Sequence, residues 1–238
     1  MSLGFFIANG ISSKDFNTYL TDAGVYGIAE RDTSKISIQG RNGDLILDNG
    51  RYKNKKMTYP SLIIKDFAEN FQNLLDFLVS QKGYIKLEDS FSPDIYVMAR
   101  YSGETNPKKM VIDAKKGSFI LTFDRKPQKY LKEGDIPITL TTNGNIYSQY
   151  NQDALPLIRA YGTGSFSIGG VSVQITAANG YTDIDCELQE AYKDNFSTNC
   201  NGNIVLTNGT FPKLVKGANN ITMSGITKLE IKPRWWKL

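Results

Sequence analysis

The chain has 238 residues, 40% of them hydrophobic and 22% charged, with a formal net charge of +4 and no histidine. That length supports one large domain or two small ones with proper cores, and the balance is that of a globular chain and not a disordered one. The charge is too mild to imply nucleic acid by itself. The missing histidine removes Ser-His and Cys-His catalysis, histidine-ligated zinc and a histidine general base. Residues 1–134 hold 20 Lys+Arg against 16 Asp+Glu, while residues 135–238 hold 8 of each, so the basic excess lies in the first half. Its densest cluster is Arg51, Lys53, Lys55 and Lys56, which suits an edge strand kept soluble by lysine. No apolar run reaches the length that spans a bilayer, and the start, Met1 to Ile7, lacks the basic region and long apolar stretch of a signal peptide. Cys186 and Cys200 are too few for a disulfide scaffold and lack metal-site spacing; both are expected reduced.

In chain order, Phe5-Phe6-Ile7 begins a strand, and Phe16–Leu20 and Val25–Ile28 are short apolar pieces broken by Asp22-Ala23-Gly24. Ile36 and Ile38 then alternate with polar residues, Asn42-Gly43 offers the positive φ angles of a tight hairpin turn, and Leu45 and Leu47 alternate on the way back. Asn49-Gly50 is a second turn signal, so Gly40-Arg41 and Gly50-Arg51 mark the corners of a short meander. Arginine at a rigid corner is either a solvated charge or a planar fork for a partner's carboxylate. Tyr59–Ile64 is a further strand.

The one predicted helix covers Asp66–Gln81, about 66–82 with its cap. Phe67, Phe71, Leu74, Leu75, Leu78 and Val79 form its apolar stripe, Asp66 with Glu69 has the form of a capping box, and Lys82-Gly83 suits the end. Tyr84–Leu87, Asp94–Tyr101 and Ser118–Phe123 are strand-like, with a turn cluster at Gly103–Pro107. Arg125-Lys126-Pro127 and Lys132–Asp135 predict an exposed connection, placing a domain boundary between about 126 and 137.

The second half is rich in Gly, Asn, Thr and Ser. Its strand candidates are Ile136–Thr142, Ala154–Tyr161, Gly164–Ile168, Val171–Ile175, Thr182–Gln189, Gly202–Leu206, Asn219–Ser224 and Lys228–Lys232, with Gly169-Gly170 as a tight hairpin. Short strands at this spacing predict an antiparallel β-sandwich. The expected fold is therefore mainly β: residues 1–130 as a β-rich domain with one helix, and residues 131–238 as a sandwich.

Asp183, Asp185 and Glu187 alternate with Ile184, Cys186 and Leu188, which puts three acids on one strand face. They suit a calcium site, the carboxylates of a glycosidase, or simply the wet face of a sandwich strand. The last reading is preferred, because calcium favours irregular loops and a glycosidase needs carboxylates facing across a cleft. Tyr147, Tyr150, Tyr161, Phe166, Tyr181, Tyr192, Phe196 and Phe211 offer rings for core, interface or sugar stacking. Gly162-Thr163-Gly164 lacks the strand-to-helix context of a phosphate loop. Near the end, Arg234, Trp235 and Trp236 are expected to pack on the domain or anchor a neighbour.

Taken together, the chain resembles the distal tail proteins of siphophages that infect Gram-positive bacteria. The likeness is carried by Gly10–Phe16, Gly40-Arg41-Asn42-Gly43-Asp44-Leu45, Gly50-Arg51-Tyr52, Asp183–Glu187, Phe211-Pro212-Lys213-Leu214, Gly217–Ile221 and Pro233-Arg234-Trp235. One departure is Gln39, where members often carry proline. The resemblance implies a hexameric ring at the tail tip that joins the tail tube to the baseplate or fibre. The first domain would build the ring and a galectin-like second domain would point outward. It implies a homo-hexamer whose further partners are the tail tube protein and the receptor-binding or fibre proteins of the baseplate. The missing histidine, the unsuitable cysteine spacing and acids that alternate on one strand predict no enzyme activity and no cofactor or metal; no membrane and no sequence-specific nucleic acid are expected as partners, and the resemblance implies assembly in the host cytoplasm. Interface residues on this reading are Gly40, Arg41, Gly43, Gly50, Arg51, Tyr52 and Lys53, with Arg234, Trp235 and Trp236 as C-terminal packing or interface residues. The alternative functions are a carbohydrate-binding module contacting the host cell wall and a glycosidase.

Overall fold

The structure is a computed structural model that describes residues 3–24, 27–103, 105, 108–109 and 115–238. The expected apolar piece at Val25–Ile28 and the turn cluster at Gly103–Pro107 lie partly outside the described residues. The chain forms two compact units, Met1–Lys129 with Leu238, and Tyr130–Lys237. Among the described residues, strands dominate and one α-helix accompanies them.

In the first unit, the main sheet runs Ile11–Ser12, Phe6–Ala8, Ile85–Asp89, Ile95–Tyr101, Gly117–Leu131, Lys55–Ile63 and Thr18–Leu20, each bonded to the next. Period-two alternation explains it: Met57, Tyr59, Ser61 and Ile63 point inward from one strand, and Phe119, Leu121 and Phe123 from its neighbour. The helix Phe67–Ser80 covers that face. Phe67, Leu74 and Leu78 enter the same buried cluster as Ile63, Leu87, Val97 and Leu121. Phe71 packs edge-on to Phe119, and Phe77 stacks on Phe16.

Two details of the helix differ from expectation. Val79 is 69% exposed; Phe77 takes its place in the stripe, because the buried arc follows positions 67, 71, 74, 77 and 78. The capping box does not form. Asp66 has a left-handed backbone (φ 46°) and its side chain makes no capping bond; the first helical N–H, that of Phe67, donates instead to the Lys115 carbonyl at 3.1 Å. The exposed connection at Arg125–Asp135 is also corrected. The strand continues to Leu131, and no residue from Asp124 to Lys132 is classed as exposed. Arg125 is fully buried; its guanidinium donates to the carbonyls of Gly27, Lys126 and Pro127, each at 2.9 Å. A short 3₁₀ turn, Lys132–Asp135, follows.

The second unit is a sandwich of two antiparallel sheets. One runs Ile138–Leu140, Lys228–Lys232, Leu157–Tyr161, Tyr181–Asp185, Glu190–Lys193 and Thr198–Asn199; the other runs Gly144–Ser148, Gly217–Ser224, Gly164–Ile168, Val171–Ile175 and Ile204–Leu206. Ile158, Ala160, Ile184, Leu229 and Ile231 of the first and Ile146, Phe166, Ile168, Val173, Ile175 and Ile221 of the second are buried. The Gly169-Gly170 hairpin is tight as expected, with Ile168 opposite Val171 and both glycines at positive φ (57° and 87°). The strands Gly144–Ser148, Glu190–Lys193, Thr198–Asn199 and Trp236–Lys237 were not expected. Among the described residues no helix is long and apolar enough to cross a membrane.

Candidate functional site

Among the described residues, Arg31–Ile36 and Leu45–Tyr52 pair only with each other, as a two-stranded antiparallel ribbon. Every residue from Ser34 to Arg51 is exposed. The register sets Ile36 opposite Leu45 and Ser34 opposite Leu47, so Ile36, Leu45 and Leu47 share one face. They remain 43%, 37% and 46% exposed, and Ile46 on the other face is 53% exposed.

The ribbon's corners differ from the expected meander. The connection spans residues 37–44 and is not a two-residue turn, and Ile38 lies outside the strand. Asn42 keeps a negative φ, which an Asn-Gly hairpin turn of the expected type would not allow. The tight turn forms three residues earlier: Arg41 N–H donates to the Ile38 carbonyl at 3.1 Å, and Gly40 supplies φ 78°. That is the type II pattern, which needs glycine at its third position. Asn49-Gly50 is no corner either. It lies inside the strand, where Gly50 (φ 74°) donates its N–H to Asp48 Oδ1 at 2.8 Å and the register shifts between Arg31 and Thr33. This is a bulge, the other structure that glycine at positive φ permits.

The charges toward the ribbon's base are matched within the chain. Arg31 meets Asp48 at 2.7 Å and lies over the Tyr52 ring at 4.8 Å. Arg51 meets Asp32 at 2.7 Å, and Lys53 reaches the same carboxylate at 3.8 Å. Arg51's hydrogen bond holds Asp32 below the usual carboxylate range, and Arg31 with the Gly50 N–H does the same to Asp48. Of the interface residues expected from sequence, Gly40, Arg41 and Gly43 stand at the ribbon's tip, and Gly50, Arg51, Tyr52 and Lys53 at its base. The apolar face between them carried an alternation signal, but the sequence did not show that it lacks cover.

In the sandwich, the three acids are not a wet face. Asp183 is 4% and Asp185 is 2% exposed. Arg159 binds both oxygens of Asp183 at 2.7 and 2.8 Å. Arg234, itself at φ 56°, binds both oxygens of Asp185 at 2.7 and 2.8 Å. Burial pushes Asp185 up, but Arg234 and the Leu188 and Glu187 N–H groups outweigh it and hold the carboxyl below its ordinary value. Glu187 lies past the strand and accepts from the Tyr130 hydroxyl at 3.1 Å. Burial first, then Asp185, pushes the Cys186 thiol up to about 12, and both cysteines are free and buried.

Arg234, Trp235 and Trp236 dock the C-terminal segment inside this unit. Arg234 N–H donates to the Gly134 carbonyl at 2.9 Å, and the Trp235 carbonyl accepts from Leu131 N–H at 2.8 Å. A Cβ at Gly134 would fall 2.4 Å from the Trp235 nitrogen, so only glycine allows this approach. Trp235 is buried against Tyr150, and Trp236 Nε1 donates to the Asp153 carbonyl at 2.9 Å.

No protein-family model matches the chain, and no curated protein matches it in sequence. Among solved structures, the chain is similar over 97% of its length, and 98% of the other chain, to the phage SPP1 Dit protein (gp 19.1). The TM-score is 0.73 and the sequence identity 12%. That protein is described as a paradigm of the hub adsorption apparatus in phages infecting Gram-positive bacteria, and its fold is the fold of this chain.

Proposed function

We propose that this chain is a structural protein of a phage or prophage tail, forming a hexameric ring at the distal tip that joins the tail tube to the baseplate or fibre proteins. The observation that carries the reading is the ribbon: a face patterned for burial by Ile36, Leu45 and Leu47 lies in solvent. A two-stranded ribbon is marginal alone, and an uncovered apolar strand invites a partner. A second copy of the chain is the partner a cyclic assembly supplies. The full-length likeness to a hub protein supports the same role. On this reading residues 1–130 build the ring and residues 131–238 face outward, on a virion tail put together in the bacterial cytoplasm. A non-enzymatic role agrees with the acids, since Asp183 and Asp185 are each held in a two-point arginine pair.

Magnitudes decide which residues matter most. Arg51 and Lys53 already pair within the chain, and an exposed ion pair contributes about 1 kcal/mol or less. Fully burying a leucine or isoleucine contributes about 1.5–3 kcal/mol. Leu47→Glu is therefore expected to abolish assembly at unchanged melting temperature, with Arg51→Glu doing less damage. Electron microscopy and light scattering of the concentrated protein, with immunogold labelling of intact tails, read this. A monomer at high concentration together with label on the capsid or shaft refutes the proposal.

A further inference from the structure

On the outer face of the six-stranded sheet, four neighbouring strands build a cleft lined by Pro137, Leu157, Arg159, Asp183, Glu230 and Lys232. Its composition is selective. Two cations face two carboxylates, so the lining has no net charge to favour an anion or a metal ion. Leu157 and Pro137 add an apolar patch to walls that both donate and accept hydrogen bonds. Such a lining suits a neutral, polyhydroxylated ring, with hydroxyl groups along one edge and C–H groups on its faces.

The groups are held firmly. Arg159 is fixed by Asp183 at two points. Glu230 accepts from Lys228 at 2.8 Å and from the Tyr161 hydroxyl at 3.1 Å. In the next row of the same face, Tyr161 stands 6.0 Å from Tyr181, and the Arg159 guanidinium lies 4.3 Å from the Tyr181 ring centre.

A separate observation marks this end of the sheet. Asp194, Asn195 and Phe196 occupy three successive left-handed positions (φ 52°, 53° and 69°). Asp and Asn tolerate that conformation, but a bulky residue such as Phe196 is strained there by roughly 1–2 kcal/mol, and such strain concentrates at functional sites. The turn is tied to the face, since the Tyr181 hydroxyl donates to Asp194 Oδ1 at 2.9 Å. It holds Phe196, 51% exposed, stacked at 3.8 Å on Tyr192, the cross-strand neighbour of Asp183. A strained backbone thus presents an apolar ring to solvent beside the charged cleft.

We infer that this face binds a neutral oligosaccharide, with Arg159, Glu230 and Lys232 hydrogen-bonding one sugar and Phe196 stacking on a further one. The inference rests on the tail-tip reading only for where such a saccharide is met, on a bacterial surface. The test is binding of the full chain to an array of neutral and phosphate-bearing bacterial oligosaccharides, with the best-retained glycan then titrated in solution. Retention on neutral glycans is expected, and Glu230→Gln should weaken it about tenfold, the cost of one hydrogen bond to a charged group. Arg159→Ala strips the partner from buried Asp183 and is read only if its melting curve is intact. Phe196→Ser changes an exposed ring and serves as the second variant, expected to weaken binding while the fold holds. No retained glycan, retention confined to the phosphate-bearing set, or retention unchanged in both Glu230→Gln and Phe196→Ser overturns the inference. Glycan binding by a chain that never labels a tail would leave this site standing and remove the ring; a ring without glycan binding would do the reverse.

Discussion

At the scale of single residues, the arginine–carboxylate pairs decide how the sandwich titrates. Asp185 is nearly inaccessible and Arg234 is its two-point partner. Removing one member of a buried pair leaves an uncompensated charge, so Arg234→Ala is expected to cost about 3–5 kcal/mol in urea unfolding. The pH dependence has a definite sign. Asp185's folded pKa is depressed, so its contribution is complete above the ordinary carboxylate value of about 4. It is lost as pH falls below that value and through the folded one. The urea midpoint of Asp185→Asn is therefore expected to fall less than the parent's between about pH 6 and about pH 3; equal falls would refute the assignment. The alternation of Asp183 with Asp185 was legible in the sequence. The arginines that cover them lie 24 and 49 positions away, and no local pattern announces such a pairing.

At the scale of elements, legibility followed the range of the forces involved. The Gly169-Gly170 hairpin and its flanking strands were readable because turn chemistry and alternation are local. The helix was readable from its period, but Val79 and Phe77 exchange roles because the fold decides which edge of the stripe meets the sheet. The capping box failed because the backbone enters the helix through a left-handed residue, from which the Asp66 side chain does not cap. In the ribbon, Asn-Gly and Gly-Arg pairs correctly marked positive φ angles at glycine, but the same angle serves a turn at Gly40 and a bulge at Gly50. The helix offers a direct comparison. Leu74→Ala should cost about 3–5 kcal/mol, since its side chain is fully buried, while Val79→Ala should stay within about 0.5 kcal/mol. Thermal and urea unfolding measure both, and similar losses would overturn the observed orientation.

At the scale of the whole molecule, the mainly β architecture was readable, but the long strand Gly117–Leu131 was not. Its Arg125-Lys126-Pro127 segment has a surface composition, and only the carbonyls around Arg125 explain why that cation is buried. Proteolysis distinguishes the two pictures. Brief trypsin treatment is expected to cut after Arg41, in the exposed ribbon connection, before Lys126 or Lys129. Mass spectrometry of the early fragments reads the order, and the reverse order would refute the exposure of the ribbon. Both sandwich sheets share one feature of chain order. Lys228–Lys232 lies between Ile138–Leu140 and Leu157–Tyr161, and Gly217–Ser224 lies between Gly144–Ser148 and Gly164–Ile168. During translation those inner strands leave the ribosome long after the strands they must separate. A growing chain therefore carries two half-built sheets with open edges, each waiting for its middle. Hydrogen-bonding sites stay unpaired until residue 232 has emerged, and a nascent chain that stalls earlier exposes them to its neighbours.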